Sequence, residues 1–107
     1  MNVKIVTLSH DTIKVYLKGE IDHHASLIIR EDIDKYIDNR KIKNILFDFK
    51  DVSFMDSSGI GFIMGSYKLI QLYEGSLEII NISDTINRVI KLSGIDKLNI
   101  KISVNQR

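Results

Sequence analysis

A chain of 107 residues has room for one domain and not two. Apolar residues make up 44% of it and charged residues 27%, for a formal net charge of +1, so a core can be buried and neither disorder nor a nucleic-acid footprint is expected. There is no cysteine, which excludes disulfides, thiolate metal sites and a Cys nucleophile.

Val3 to Leu8 and Ile13 to Lys18 read as two strands. Ile13, Val15 and Leu17 alternate on one face of the second, and Ser9-His10-Asp11 between the two is turn-like, which predicts an antiparallel hairpin. Gly19-Glu20-Ile21-Asp22 then leads into a helix of about four turns. Ala25, Ile29, Ile33, Tyr36 and Ile37 form its buried stripe, and Glu31 with Lys35 makes a favourable pair on its outer face. Ile45-Leu46-Phe47 is a continuous apolar run, expected of a strand covered on both faces, and Phe49, Val52 and Phe54 extend it.

Asp56-Ser57-Ser58-Gly59-Ile60-Gly61 follows, and then a helix to about Tyr73 with Ile60, Ile63, Met64, Tyr67 and Ile70 on one side. Gly75 ends it, and Leu77, Ile79 and Ile82 make the next strand. Ser83 caps a third helix that turns Ile86, Val89 and Ile90 inward and stops near Gly94. Leu98, Ile100, Ile102 and Val104 alternate as a last strand. The order β-β-α-β-α-β-α-β predicts an α/β fold: a leading hairpin, then mostly parallel strands, in a mixed sheet with helices packed on it.

The N-terminus lacks the basic start and apolar block of a signal peptide, and no segment approaches the ~20 apolar residues of a membrane span. The expectation is one soluble, cytoplasmic domain over residues 1–107, with neither membrane nor nucleic acid as a partner.

The segment at Ser57 carries the most chemistry. It sits at a strand-to-helix junction, where ligands and partners tend to meet an open α/β sheet. A helix start there presents unpaired N–H groups that suit a phosphate. Whether Ser57 or Asp56 is the N-cap, no Glu or Gln stands at N3, so no capping box closes this end. Gly61 and Gly65, four residues apart, suggest a close approach of the helix to its own sheet or of a partner to the helix. A Ser at a helix start is usually only a cap, and Gly59-Ile60-Gly61 lacks the third glycine and the lysine of a Walker loop. From local physics alone Ser57 is a candidate phosphoacceptor and nothing more, and chemistry does not exclude Ser58.

Three segments together resemble the STAS family of anti-sigma factor antagonists. Gly19-Glu20-Ile21-Asp22-His23-His24 is similar to its entry into the first helix, Phe54-Met55-Asp56-Ser57-Ser58-Gly59-Ile60-Gly61 to its phosphorylation loop, and Leu92-Ser93-Gly94-Ile95 to the close of its third helix. Glu-Ile-Asp-His-His paired with Phe-Met-Asp-Ser-Ser-Gly resembles most the sporulation branch, whose members antagonise the anti-sigma-F factor.

The resemblance implies an α/β fold with a mixed sheet and its helices packed on one face, and it implies that the Ser directly after the motif Asp, here Ser57, is phosphorylated. It implies as partners an anti-sigma factor with serine kinase activity and a metal-dependent serine phosphatase. Asp22, His23, Asp56, Ser58, Gly59, Ile60 and Gly61 are the expected partner-binding residues. No catalytic residue, cofactor or metal is expected. Family members often continue into a further C-terminal helix; only Asn105-Gln106-Arg107 follow the last strand, so that helix is expected to be short or missing.

Glu20, Asp22, His23 and His24 could be a metal cluster, but adjacent histidines rarely share an ion and no third nitrogen or sulfur ligand is near. Without a metal, Asp22 is a helix cap and the histidines are solvated first-turn residues. A hydrolytic or nucleotide-binding enzyme would need a base near the serine, and Met55 stands where the first glycine of a G-x-S-x-G elbow would be. A stress-response partner-switching module and a transporter appendage are the other roles open to such a domain.

Overall fold

The computed structural model describes residues 2–104. The elements are β1 (Asn2–Ser9), β2 (Thr12–Ile21), α1 (His23–Arg40), β3 (Asn44–Met55), α2 (Ser57–Gln71), β4 (Ser76–Ile82), α3 (Asp84–Ser93) and β5 (Ile100–Val104), with a 3-10 turn at Ile95–Lys97. The predicted order of elements is the observed one. The expectation about a C-terminal helix falls on residues 105–107 and lies outside the described residues.

The strands form one five-stranded sheet in the order β1-β2-β3-β4-β5. β1 runs antiparallel to β2, and every later neighbour is parallel. Parallel neighbours need a crossover, and each of the three here carries a helix. Right-handed crossovers that all step the same way along a sheet place their helices on the same face. That face is where the core lies. Ile13, Val15 and Leu17 of β2, Ile45, Phe47 and Phe49 of β3, and Leu77 and Ile79 of β4 pack with buried residues of all three helices. Phe47 is the hinge of the packing, edge-on to Phe49 at 6.5 Å and to Phe62 of α2 at 5.2 Å.

The other sheet face explains one departure from the sequence reading. Leu46 is only half-buried, because β3 is covered by helices on one side alone. The same outer face holds Asp48, 7% exposed. It is satisfied by the Lys50 N–H at 3.0 Å, by Asn81 Nδ2 at 3.1 Å and by Lys14 at 3.9 Å, so it ties β2, β3 and β4 together.

Other boundaries moved for local reasons. β2 runs on through Gly19 to Ile21, with a register irregularity at Gly19/Glu20, where Gly19 takes φ 97°. Tyr36 is half-buried at the rim of the core, under Arg40 at 4.6 Å, while Ser26 takes a buried place in the α1 stripe. The buried face of α2 is Gly59, Phe62, Ile63, Ser66 and Ile70, turned by about one residue from the expected one; Ile60, Met64 and Tyr67 are half-buried. Val89 of α3 is half-buried too, and Leu98 precedes the last strand. Ser83 caps α3 through Ile86 N at 3.2 Å, and Gly94 closes it at φ 82°, both as expected.

Gly75 is needed for a reason the sequence did not reveal. The left-handed residue after α2 is Glu74, at φ 55°, while the Gly75 N–H closes on the Ile70 carbonyl at 3.0 Å. A Cβ on Gly75 would run into the carbonyl oxygen of Lys43, the same oxygen that accepts the Ser76 N–H at 2.9 Å where β4 joins β3. Backbone cannot step aside as a side chain can. Gly75→Ala should therefore cost about 1–3 kcal/mol of unfolding free energy, read by urea denaturation.

Candidate functional site

The site is built where two parallel strands end side by side. Ile21 of β2 pairs with Met55 of β3, and each strand turns at the next residue into a helix. The two N-caps, Asp22 and Asp56, therefore stand together at one end of the sheet. Asp22 Oδ1 accepts the Ala25 N–H at 2.9 Å, and Asp56 Oδ1 accepts the Ser58 N–H at 2.8 Å. Asp56, not Ser57, is thus the N-cap of α2, and Ser57 is its first helical residue.

This arrangement leaves Ser57 exposed and Ser58 half-buried. It also changes the expectation of open N–H donors beside Ser57. The Ser58 N–H is taken by the Asp56 carboxylate, and the Gly59 N–H is taken by the Asp56 carbonyl at 3.0 Å. The cap thus occupies two of the N–H groups at the helix start.

The glycines of α2 differ from one another. A Cβ on Gly59 would overlap the Met55 side chain and come within 3.3 Å of Ile21, so its bareness lets the first turn of α2 rest directly on the two strand ends. Gly61 is exposed, with nothing within 4 Å of where a Cβ would be. At Gly65 a Cβ would lie 2.6 Å from Arg30 Cζ. The close approach expected along Gly61 and Gly65 is thus that of α1, through Arg30 and at Gly65 only.

A groove runs between the two helices beside the serines. His23, Leu27 and Arg30 line it from α1, and Ser58, Gly61 and Phe62 from α2. His24 turns the other way, into a hollow shared with Glu20, Asp22 and Asp32. The two histidines therefore face different hollows, and among the described residues no group of three His, Cys, Asp or Glu side chains is placed to hold a metal ion. Asp22 and His23 are brought next to Asp56 and Ser58; Gly59 lies beneath them, buried, and Ile60 is half-buried.

Sequence reasoning missed Leu27, Ile28 and Arg30, and it placed Phe54 in the loop segment without expecting it to be exposed. Leu27, Ile28 and Phe54 are 57%, 50% and 48% exposed around this end of the sheet. A signal was available for the first two, since they are apolar residues that fall off the buried stripe of α1. Arg30 had none, because its place over Gly65 depends on how the helices pack.

Arg30 is held by Asp34 one turn on, Nε to Oδ2 at 3.5 Å, while Asp34 Oδ1 is buried without a hydrogen-bond partner among the described residues. Burial holds the Asp34 carboxyl above its ordinary value of 3.8, outweighing the pull of Arg30 in the other direction. The folded state then binds this proton more tightly than the unfolded one, so stability is lost as pH rises from 3.8 through the raised value. Asp34→Asn should be more stable than the parent at pH 7, by about 0.5 kcal/mol or less given screening at this partly exposed site. The gain should vanish near pH 3, and denaturation at the two pH values checks it.

The STAS domain model matches residues 4–106. An anti-sigma F factor antagonist of Paenibacillus polymyxa is 36% identical over 99 residues, covering 92% of this chain and 85% of that protein. An anti-sigma-B factor antagonist of Bacillus subtilis is 31% identical over 96 residues, covering 89% and 86%. Among solved structures, the anti-sigma factor antagonist SpoIIAA in its unphosphorylated form superposes with a TM-score of 0.85 at 30% identity, covering 94% of this chain and 87% of that one. SpoIIAA of Bacillus in its phosphorylated form gives 0.76 at 30%, covering 94% and 90%. The mixed sheet and its element order are those of the SpoIIAA fold. The chain belongs to the STAS-domain family.

Proposed function

We propose that this chain is a cytoplasmic anti-sigma factor antagonist switched by phosphorylation of Ser57. The observation that carries the reading is an exposed Ser57 at the first residue of α2, beside the paired caps Asp22 and Asp56. Relatives named as antagonists and a solved phosphorylated form of one of them support it.

In this reading the unmodified chain docks on a nucleotide-bound anti-sigma factor and displaces the sigma factor. The anti-sigma factor is also a serine kinase. It transfers the γ-phosphoryl of ATP to Ser57 Oγ, which loses its proton while ADP leaves, and the phosphorylated chain departs. A metal-dependent phosphatase restores the hydroxyl. Positioning groups and Mg²⁺ for the transfer belong to the kinase. This chain supplies the acceptor and is a substrate, not an enzyme. Asp22, His23, Ser58, Ile60 and Gly61 form the surface that meets the partner, with Asp56 and Gly59 holding the serine in place.

The sporulation branch is the first assignment, on the 36% relative and on the Glu-Ile-Asp-His-His and Phe-Met-Asp-Ser-Ser-Gly segments. The stress-response branch is the second, since an anti-sigma-B factor antagonist is nearly as similar. Intact-mass spectrometry after incubation with each type of anti-sigma kinase and Mg-ATP tests both. One added phosphoryl group, lost in Ser57→Ala and kept in Ser58→Ala, is the expected result. No modification by active kinases of either type would overturn the reading.

A further inference from the structure

The cap geometry raises a question of where a phosphate on Ser57 would lie. The N–H groups of Ser58 and Gly59 already bond to Asp56. The carboxylates of Asp56 and Asp22 flank the serine and repel a dianion. Away from them, Ser57, Gly61 and Gly65 follow one another at four-residue spacing along one side of α2. Over Gly61 the space is open, and over Gly65 rests the guanidinium of Arg30. Arg30, His23 and Ser58 line one groove.

We propose that Arg30 is the internal counter-charge of phosphorylated Ser57. In the unmodified chain it is parked over Gly65 on the Asp34 carboxylate. On phosphorylation the guanidinium leaves Asp34, lies across the open stretch at Gly61 and pairs with the phosphate inside the α1–α2 groove, with His23 at the mouth. Arg30 is a positioning residue in this exchange, in which no covalent bond changes.

Three features favour the exchange. The present pair is loose, a 3.5 Å contact through Nε. The phosphate carries about 1.5–2 negative charges against one on Asp34, and a guanidinium fork matches its oxygens. The missing side chain at Gly61 leaves the passage clear. The outcome is that the groove beside Ser57 is open in the unmodified chain and filled in the phosphorylated one, a second obstacle to a docking partner besides repulsion.

The inference rests on Ser57 being the acceptor, and the test keeps the two apart. Phosphoserine is installed at position 57 of the full chain by genetic encoding, so no kinase is needed; the kinase reading stands or falls on the mass measurement above. The phosphate is titrated by ³¹P resonance in the parent, Arg30→Gln, Arg30→Lys and Gly61→Leu backgrounds, and the Arg30 Nε–Hε signal is followed with and without the phosphate. The expected results are a phosphate pKa lower in the parent than in Arg30→Gln by about half a unit or more, partial recovery in Arg30→Lys, loss in Gly61→Leu, and a displaced Arg30 Hε signal. Equal phosphate titrations in parent and Arg30→Gln, with the Arg30 signal unmoved, would overturn the proposal. If Arg30→Gln does not fold, the Gly61→Leu titration and the Arg30 signal of the parent decide.

Discussion

Phosphorylated on Ser57, the protein should bind its anti-sigma partner at least a hundredfold more weakly than the unmodified chain, with its fold nearly unchanged. The added group stands at the exposed start of α2, outside the core, so nothing in the packing of Phe47, Phe62 and Ile63 has to move. At a docked surface the same group must lose its water and face the acidic groups that the partner presents there. Like charges brought together across an interface cost several kcal/mol, and each 1.4 kcal/mol is a factor of ten in affinity. Two factors of ten need only about 3 kcal/mol, which desolvation and repulsion supply without a conformational change. Calorimetric titration of the partner with unmodified and phosphoserine-57 protein, alongside circular dichroism of both, measures it. Equal affinities would remove the switch from Ser57. Ser57→Asp, with one charge and fewer oxygens, should show a smaller loss than the phosphoprotein.

Phe62→Ala should be the most damaging single truncation at the site, at about 3–5 kcal/mol. Phe62 is 1% exposed, edge-on to Phe47, and it floors the groove between α1 and α2. Its loss leaves a cavity that the neighbouring strand and helix, both fixed by their own hydrogen bonds, cannot collapse to fill. Against a total stability of about 5–15 kcal/mol, that is about a fifth at the least of what holds the chain folded. Urea denaturation gives the loss directly. Phe62→Leu keeps most of the volume and should cost well under half as much. A loss below 1 kcal/mol for Phe62→Ala would mean that α2 is not anchored to the sheet through this ring.

Much of the fold was legible in the sequence because its signals are local and periodic. Ile13, Val15 and Leu17 alternate because one face of β2 meets the core, and the sequence needs no partner strand to show it. Asp22, Ser83 and Gly94 mark helix ends because capping is a contact among neighbours in the chain. The Asp56-Ser57-Ser58-Gly59 segment stood out for the same reason, and so did the element order that makes the sheet mixed.

What only the tertiary structure decided are the matters that depend on residues far apart in the chain. The choice between Asp56 and Ser57 as cap turned on where the first turn of α2 comes to rest, on Met55 and Ile21. The buried face of α2 is set by where α1 and β3 lie, which is why Phe62 and Ser66 go inside and Ile60 and Met64 only partly. Leu46 faces outward because all three crossovers place their helices on one side of the sheet. Gly75 is bare because Lys43, from another connection, passes against it. The approach of His23 and Arg30 to Ser58 follows from β2 and β3 ending in register. Periodicity reports which residues of one element share a face; only packing reports what that face meets.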